Sequence, residues 1–456
     1  MGNLTAFKIR ESFNSKPPFN HKREKMELWQ KLCLQDYFAG QNESILLKFP
    51  KKADDNHFCL VVRDRSDGEQ LKYDIESSYF VGANWLIEDK LPILVEPKFN
   101  IADKEVELDF IKILFEALKN TAHKDYLDHL VFIDYDKPPI AIDQKDDILT
   151  PLMVVQYLHV LKKIVKNGLR KSYYRVTNNL TGKIKGKVLI DDNIKRNYNK
   201  GEMLRSYCTY DEFGVNYPEN KLLKKALNIG LQHISTLISA QDNLGELMDV
   251  INYVKVGFKT VDDDLHMDSI KKIQPNPFFK DYREALALAD KILKRFGYNV
   301  SHINSSEVTT PPFWIDMSKL FELFLLEKLN AVFTNDVEVM YQEKINGLYP
   351  DFLIRTADDN HKMVIDAKYK GYSTRQVSLE DIRQVSGYAR INEVYDRLGL
   401  LEGLQAIDTV IDCLIIYPDL ESGVKDFNFE TFTNAKKLPN YFKISTLGIH
   451  VPFIEK

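Results

Sequence analysis

Three residues of types that do hydrolytic chemistry stand close together in this chain: Asp351, Asp366 and Lys368. They lie in Gly347-Leu-Tyr-Pro-Asp-Phe-Leu-Ile-Arg355 and in Met363-Val-Ile-Asp-Ala-Lys-Tyr-Lys370. The spacing is Pro-Asp, fourteen residues, then Asp-Ala-Lys. Both runs read as strands, with the polar stretch 358–361 as the turn between them. Such a hairpin can bring two carboxylates and an ammonium to one end of a sheet. A phosphodiester is anionic and resists attack by water. A hard divalent cation held by carboxylate oxygens neutralises the developing charge and acidifies a bound water. Asp351 and Asp366 are the expected ligands, with the carbonyl of Ala367 as a third oxygen. Lys368 lies two residues beyond Asp366 and emerges on the same face. There it can orient the water or stabilise the transition state. A bare Asp-x-Lys is common, so the elements around it carry part of the reading.

Upstream, Asp316-Met-Ser-Lys-Leu-Phe-Glu-Leu-Phe-Leu-Leu-Glu-Lys-Leu329 has helix periodicity, with Asp316 or Ser318 as N-cap. It is apolar nearly all round, which predicts burial. Glu322 sits in that surface and needs a partner: a metal and its ligands, or a nearby lysine. Downstream, Ser378-Leu-Glu-Asp381 is a capping box opening a helix through Arg390. Gln384 and Tyr388 share one face of it at i and i+4. Arg383 and Arg390 add cationic reach.

The order of these pieces resembles the PD-(D/E)XK nuclease fold, and more narrowly McrC, the nuclease subunit of McrBC-type restriction systems. Further blocks carry the likeness. They are Phe80-Val-Gly-Ala-Asn-Trp85 with Leu91-Pro-Ile-Leu-Val-Glu-Pro-Lys98, then Leu180-Thr-Gly-Lys-Ile-Lys-Gly-Lys187, then Tyr207 through Lys224 with its Tyr-Asp-Glu and Asn-Lys-Leu-Leu-Lys. The resemblance spans roughly 75–456 and leaves the first ~75 residues unmapped. It implies that Asp351, Asp366, Ala367 and Glu322 hold Mg2+, with Mn2+ able to substitute, and that Lys368 assists catalysis. It places Gln384 and Tyr388 on a helix beside the site, as in RecB-like nucleases. It implies a separate AAA+ GTPase or ATPase ring of the McrB kind, on which the N-terminal part docks and whose NTP hydrolysis the chain stimulates. Double-stranded DNA is the implied substrate. Two alternatives stand beside this: an adaptor of the motor in which cleavage is dispensable, and a stand-alone RecB-like nuclease.

A chain of 456 residues suggests two or three domains. The expected class is α+β multidomain. A β-rich domain occupies 1–105, and a mainly helical middle domain with a basic β segment occupies 106–305. A C-terminal α/β nuclease domain with a mixed central sheet occupies 306–456. Short strands are expected between Ser44 and Phe99. Helices are expected at 23–34, Glu105–Leu118, Thr150–Val165, Asn220–Leu237, Leu244–Val256 and Asp281–Phe296.

Formal net charge is −4, so DNA affinity must come from a local patch or from a partner. From Lys162 to Ile190 there is no acidic residue. Arg170, Lys171, Lys183, Lys185 and Lys187 lie there, with Tyr173 and Tyr174 nearby; with Arg383 they are the candidate DNA contacts. A solvated basic face and a dock for an acidic surface are the other readings. The acidic cluster Asp262-Asp-Asp264 reads as a solvated turn. No Gly-x-x-x-x-Gly-Lys-Ser/Thr loop is present, so no bound nucleotide is expected. Four scattered cysteines and no apolar leader or membrane-length run point to a reducing, cytoplasmic setting. Target sequence, methylation dependence, choice of GTP or ATP and oligomeric state are not written in the chain.

Overall fold

In a computed structural model, the described residues are 6–10, 28–39, 44–50, 58–66, 73–97, 106–117, 129–143, 147–239, 245–262, 279–297, 307–333, 337–356, 361–369, 377–402, 405–406, 409–419, 422–425 and 428–455. The chain divides into two compact units, Met1–Leu149 with Asn304–Lys456, and Thr150–Ile303. The sequence reading places its boundaries at 105/106 and 305/306.

The first unit holds the main sheets. A five-stranded sheet has the order Phe7–Arg10, Leu91–Glu96, Phe80–Ile87, Phe313–Asp316, Val131–Ile133. A three-stranded antiparallel sheet is built from Ser44–Lys48, Phe58–Asp64 and Tyr73–Ser77. Their apolar side chains close over one core that includes Phe49, Leu60, Phe80, Leu91, Ile93 and Trp314. Trp314 comes from far along the chain. The strand Phe313–Asp316 lies just after the Pro-Pro pair and is inserted antiparallel beside Phe80–Ile87, although the sequence reading assigns it to the last domain. Its four residues are all buried. N-terminal and C-terminal segments therefore share a sheet, which is why they fall in one unit.

Gly82 permits that insertion. Its φ is +151°, and a methyl group there would collide with the carbonyl oxygen of Phe313. The expected result of Gly82→Ala is destabilisation by about 2–4 kcal/mol, from a strained backbone and a forced separation of two core strands. Thermal unfolding of the full chain measures it.

A six-stranded sheet has the order Val337–Tyr341, Phe352–Thr356, Lys362–Ala367, Asp412–Pro418, Ile444–Ile449, Lys436–Lys437. Its first three strands are antiparallel, and Lys362–Ala367 then pairs parallel with Asp412–Pro418. The mixed central sheet expected for this region is what forms. A parallel pair needs a crossover. Here it includes the helices Leu379–Tyr388 and Asn392–Arg397, whose apolar faces bury Ile382, Val385 and Val394 against Leu353, Val364 and Ile415.

The second unit contains helices Pro218–Ser239, Gly245–Gly257, Lys280–Gly297 and most of Leu149–Asn167. It also holds a three-stranded antiparallel sheet of Ser172–Thr181, Arg205–Gly214 and Lys187–Val188. It is thus mainly helical with a basic β segment.

The helix expected from Glu105 begins instead at Phe110. Asp109 accepts the backbone N–H of Lys112, an N-cap bond, and Val106–Leu108 pairs with Phe453–Glu455. Helical spacing in the sequence runs through that stop because the capping residue is a single Asp. The helix expected at 23–34 is described from Leu28 and runs to Phe38. The turn at 358–360, Lys98, Lys370, and Asp263 with Asp264 lie outside the described residues. All four cysteines are free. Among the described residues no helix is long and apolar enough to cross a membrane.

Candidate active site

The hairpin of Phe352–Thr356 and Lys362–Ala367 sets the site's geometry. Phe352 pairs with Ile365, so Asp351 arrives opposite Asp366 at the end of the ladder. The carboxylate of Asp351 accepts the backbone N–H of Ala367 at 2.7 Å. Alternation puts Val364, Asp366 and Lys368 on one face. Val364 packs with Ile382 and Val385, so this face looks onto the helix Leu379–Tyr388.

Asp366 has no exposed surface. The ammonium of Lys368 lies 3.2 Å from its Oδ1 and 2.9 Å from its Oδ2. Only the first contact has hydrogen-bond geometry, and Oδ2 accepts no hydrogen bond at all. Lys368 also donates to the amide oxygen of Gln384 at 2.8 Å, and Gln384 donates to the Tyr388 hydroxyl at 2.9 Å. Asp351, Asp366, Lys368, Gln384 and Tyr388 therefore form one chain of contacts. The helix is set by its cap: Ser378 accepts the N–H of Asp381 and donates its hydroxyl to the Asp381 carboxylate at 2.6 Å.

Electrostatics follow from burial. Burial pushes the Asp351 carboxyl well above the usual range, and the charges of Glu322 and Asp366 push it further, against the Lys368 ammonium and the Ala367 N–H. Burial also raises Asp366, although Lys368 pulls it down. Burial opposes the charge on Lys368, but Asp366 and Asp351 outweigh it and hold the ammonium above its ordinary value. Burial raises the Tyr388 phenol. Two buried carboxylates face one ammonium. That deficit of positive charge fits a divalent cation held by Asp351 and Asp366.

Glu322 has hydrogen-bonding partners of its own, and its charge also bears on Asp351. It is on the buried face of the helix Met317–Val332, which Asp316 caps by accepting the N–H of Lys319. Its Oε2 accepts from Gln342 at 2.6 Å and from Tyr341 at 3.1 Å, and lies 3.4 Å from the Lys319 ammonium. Lys319, one of the two partners open to it in the sequence, is in contact with it. Among the described residues no group of three or more His, Cys, Asp or Glu side chains gathers as a metal site. Ala367 contributes its N–H to Asp351; it is 4 % exposed.

Sequence reasoning missed Lys319, Tyr341 and Gln342. Lys319, three residues before Glu322 on one helix, carried a readable signal. The other two owe their place to strand pairing.

The candidate DNA contacts divide. Lys171, Lys183, Lys185 and Lys187 are exposed, as is Arg383. Lys185 pairs with Glu212 at 3.0 Å and lies 4.0 Å above the Tyr210 ring. Arg170 is committed elsewhere: it pairs with Glu219 at 3.1 Å and stacks on Phe279, with its backbone N–H on Tyr282. It ties the second unit together and is withdrawn from the basic face.

A buried carboxylate pair with an adjacent ammonium, at the ends of two interior strands of a mixed sheet, is suited to metal-assisted hydrolysis. The sequence model of a family described as "McrBC 5-methylcytosine restriction system component" matches residues 80–401, more than two thirds of the chain. The chain belongs to that family, as its likeness to McrC implied. The seven residues named as catalytic or metal-holding, Glu322, Asp351, Asp366, Ala367, Lys368, Gln384 and Tyr388, lie within the match. Two solved structures are similar. One is a half-complex refined from a tetradecameric assembly of Thermococcus gammatolerans McrB AAA+ hexamers with bound McrC. It has 15% identity and a TM-score of 0.38, and covers 98% of this chain and 94% of that one. The other is the cryo-EM structure of the Thermococcus gammatolerans McrBC complex, with 14% identity, a TM-score of 0.29, and coverage of 73% and 90%. No curated protein matches the chain.

Proposed function

We propose that this protein is the Mg2+-dependent DNA endonuclease subunit of its restriction system, with a C-terminal domain of the PD-(D/E)XK type. The observation that carries the reading is the convergence of Asp351, Asp366 and Lys368 at one sheet end, where two buried carboxylates share one ammonium. Bound there, Mg2+ would supply charge neutralisation at the phosphate and an acidified water. Lys368 holds a proton firmly and places its ammonium where charge develops on the phosphate oxygens. Gln384 and Tyr388 fix the direction of that ammonium. Asp351 is oriented by the Ala367 N–H.

The motor is a separate protein. The chain has no phosphate-binding loop of its own, and its family is defined as one component of a restriction system. An AAA+ NTPase of the McrB kind supplies recognition and translocation, and the N-terminal domain docks on it and stimulates NTP hydrolysis. The exposed lysines at 183, 185 and 187 contact the DNA backbone.

The test combines purified chain, its AAA+ partner, NTP and double-stranded DNA. Cleavage is expected with Mg2+ or Mn2+ and absent in excess chelator, and restored on re-adding metal. Cleavage that persists in chelator would sink the reading. Full-rate cleavage without partner or NTP would favour a stand-alone nuclease.

A further inference from the structure

The connection between the strands Val337–Tyr341 and Phe352–Thr356 is a small hairpin at the sheet end that carries Asp351 and Asp366. Gln342 turns the chain out of the first strand with φ +46°, and its backbone N–H donates to the carbonyl of Asp351 at 3.0 Å, closing the base. At the tip, Asn346 and Gly347 have φ +49° and +80°, a two-residue turn of the I′ kind. Ile345 and Leu348 flank it and exchange both backbone hydrogen bonds at 2.8 Å. Ile345 is fully buried in the core that holds Leu353, Val364 and Ile382. Glu343 pairs with Arg397 at 2.8 Å, and the Asn346 N–H donates to Glu393 at 3.0 Å, which ties the hairpin to the helix Asn392–Arg397. The tip is therefore held in one shape by the core and by a neighbouring helix.

Its outward residues are not those that a turn requires. Leu348 is 47 % exposed and Tyr349 52 %, and Lys344 is exposed. Tyr349 precedes a proline, which keeps it extended, and Pro350 is buried, so the ring is turned to solvent. Tyr349 stands two residues before Asp351. An extended chain covers at most about 3.6 Å per residue, so their Cα atoms lie within about 7 Å of each other. A DNA strand whose phosphate reaches an ion on Asp351 passes within reach of that ring. We propose that the tip is a DNA-contact element: Tyr349 and Leu348 pack on the sugars and bases that flank the cut, and Lys344 meets a backbone phosphate. Ring faces and sugars are partners in any sequence, and a tip that is already ordered loses little freedom on binding. This inference rests on the nuclease reading above and adds a substrate contact to it.

The test uses the full chain with its AAA+ partner, NTP and a double-stranded DNA that the wild-type complex cuts. Tyr349→Ala is expected to lower kcat/KM for cleavage about tenfold, Leu348→Ala by less, and Tyr349→Phe to stay within about twofold of wild type, because the ring face and not the hydroxyl makes the contact. Lys344→Ala reduces the slope of log kcat/KM against log salt by about one, and Tyr349→Ala leaves that slope unchanged. All four variants unfold at the wild-type temperature and stimulate the partner's NTPase as wild type does. Wild-type cleavage by Tyr349→Ala, a Tyr349→Phe as impaired as Tyr349→Ala, or a salt slope that Lys344→Ala leaves unchanged overturns the inference alone. So does a fall in cleavage that tracks a fall in unfolding temperature, or one matched by lost NTPase stimulation, which would place the tip on the motor. Wild-type cleavage by Asp366→Asn overturns the nuclease reading and this inference with it.

Discussion

Replacing Asp366 with Asn is expected to abolish DNA cleavage, by a factor of at least about 10³ in rate, while the folded protein still stimulates its partner's NTPase. The size follows from the residue's situation. Asp366 has no exposed surface, sits at the end of an apolar strand, and shares the single Lys368 ammonium with Asp351. Its charge is therefore costly and is retained for a use the rest of the fold does not supply. Asn keeps the shape but not the charge, so the cation loses one of its two carboxylates. It also leaves Lys368, 2.9 Å from Oδ2, without its charged partner. The docking surface assigned to the N-terminal domain is untouched. Cleavage in a time course and NTP hydrolysis by phosphate release give the two readouts. Wild-type cutting by Asp366→Asn would remove the nuclease assignment. A folded variant that neither cuts nor stimulates would mean that docking and cleavage are not separable.

The expectation could be drawn from sequence because a β-hairpin has a period of two and a register set by its own turn. Asp366 and Lys368 had to share a face, and Asp351 had to come across from them. The capping box at Ser378 likewise announced the helix that delivers Gln384 to Lys368. Glu322 was legible as a buried acid in need of a partner, but not which partner. Lys319 and a metal satisfy the same pattern, and the donors that the strand Val337–Tyr341 and Gln342 bring to Glu322 leave no mark in its helix. Gln342 was silent for a stronger reason. Its meaning lies in a backbone angle and in pairing with Asp351, and neither leaves a mark in residue type. The strand Phe313–Asp316 was hidden in the same way. Four apolar residues after two prolines carry no address, and their partners Phe80–Ala83 lie about half the chain away. What joins the N-terminal sheet to the Glu322 helix is thus long-range pairing, where local reasoning has least purchase.

Asp351→Asn is expected to make the metal-free protein more stable at pH 8, because burial raises this carboxyl and charging it costs the folded state. The sign comes from the direction of the shifts. Asp351 and Asp366 are both raised in the folded state, chiefly by burial. A raised acid stabilises the fold while it carries its proton. That contribution is complete below the unfolded carboxylate range and is lost as pH rises through the raised value. As pH rises in chelator, charging this buried pair, served by one ammonium, costs the folded state more than the unfolded one. Asn at 351 removes the more strongly raised member, still offers an oxygen to the Ala367 N–H, and leaves Lys368 its contacts with Asp366 and Gln384. Thermal unfolding in chelator should therefore put the variant a few degrees above wild type at pH 8, with the difference fading as pH falls toward 4. Adding Mg2+ should reverse the order, because an ion that binds only the folded wild-type site stabilises it by mass action, more so at higher pH where fewer protons compete. A variant less stable than wild type at pH 8 in chelator would mean that Lys368 alone balances both carboxylates. The site would then have no charge deficit for a cation to fill.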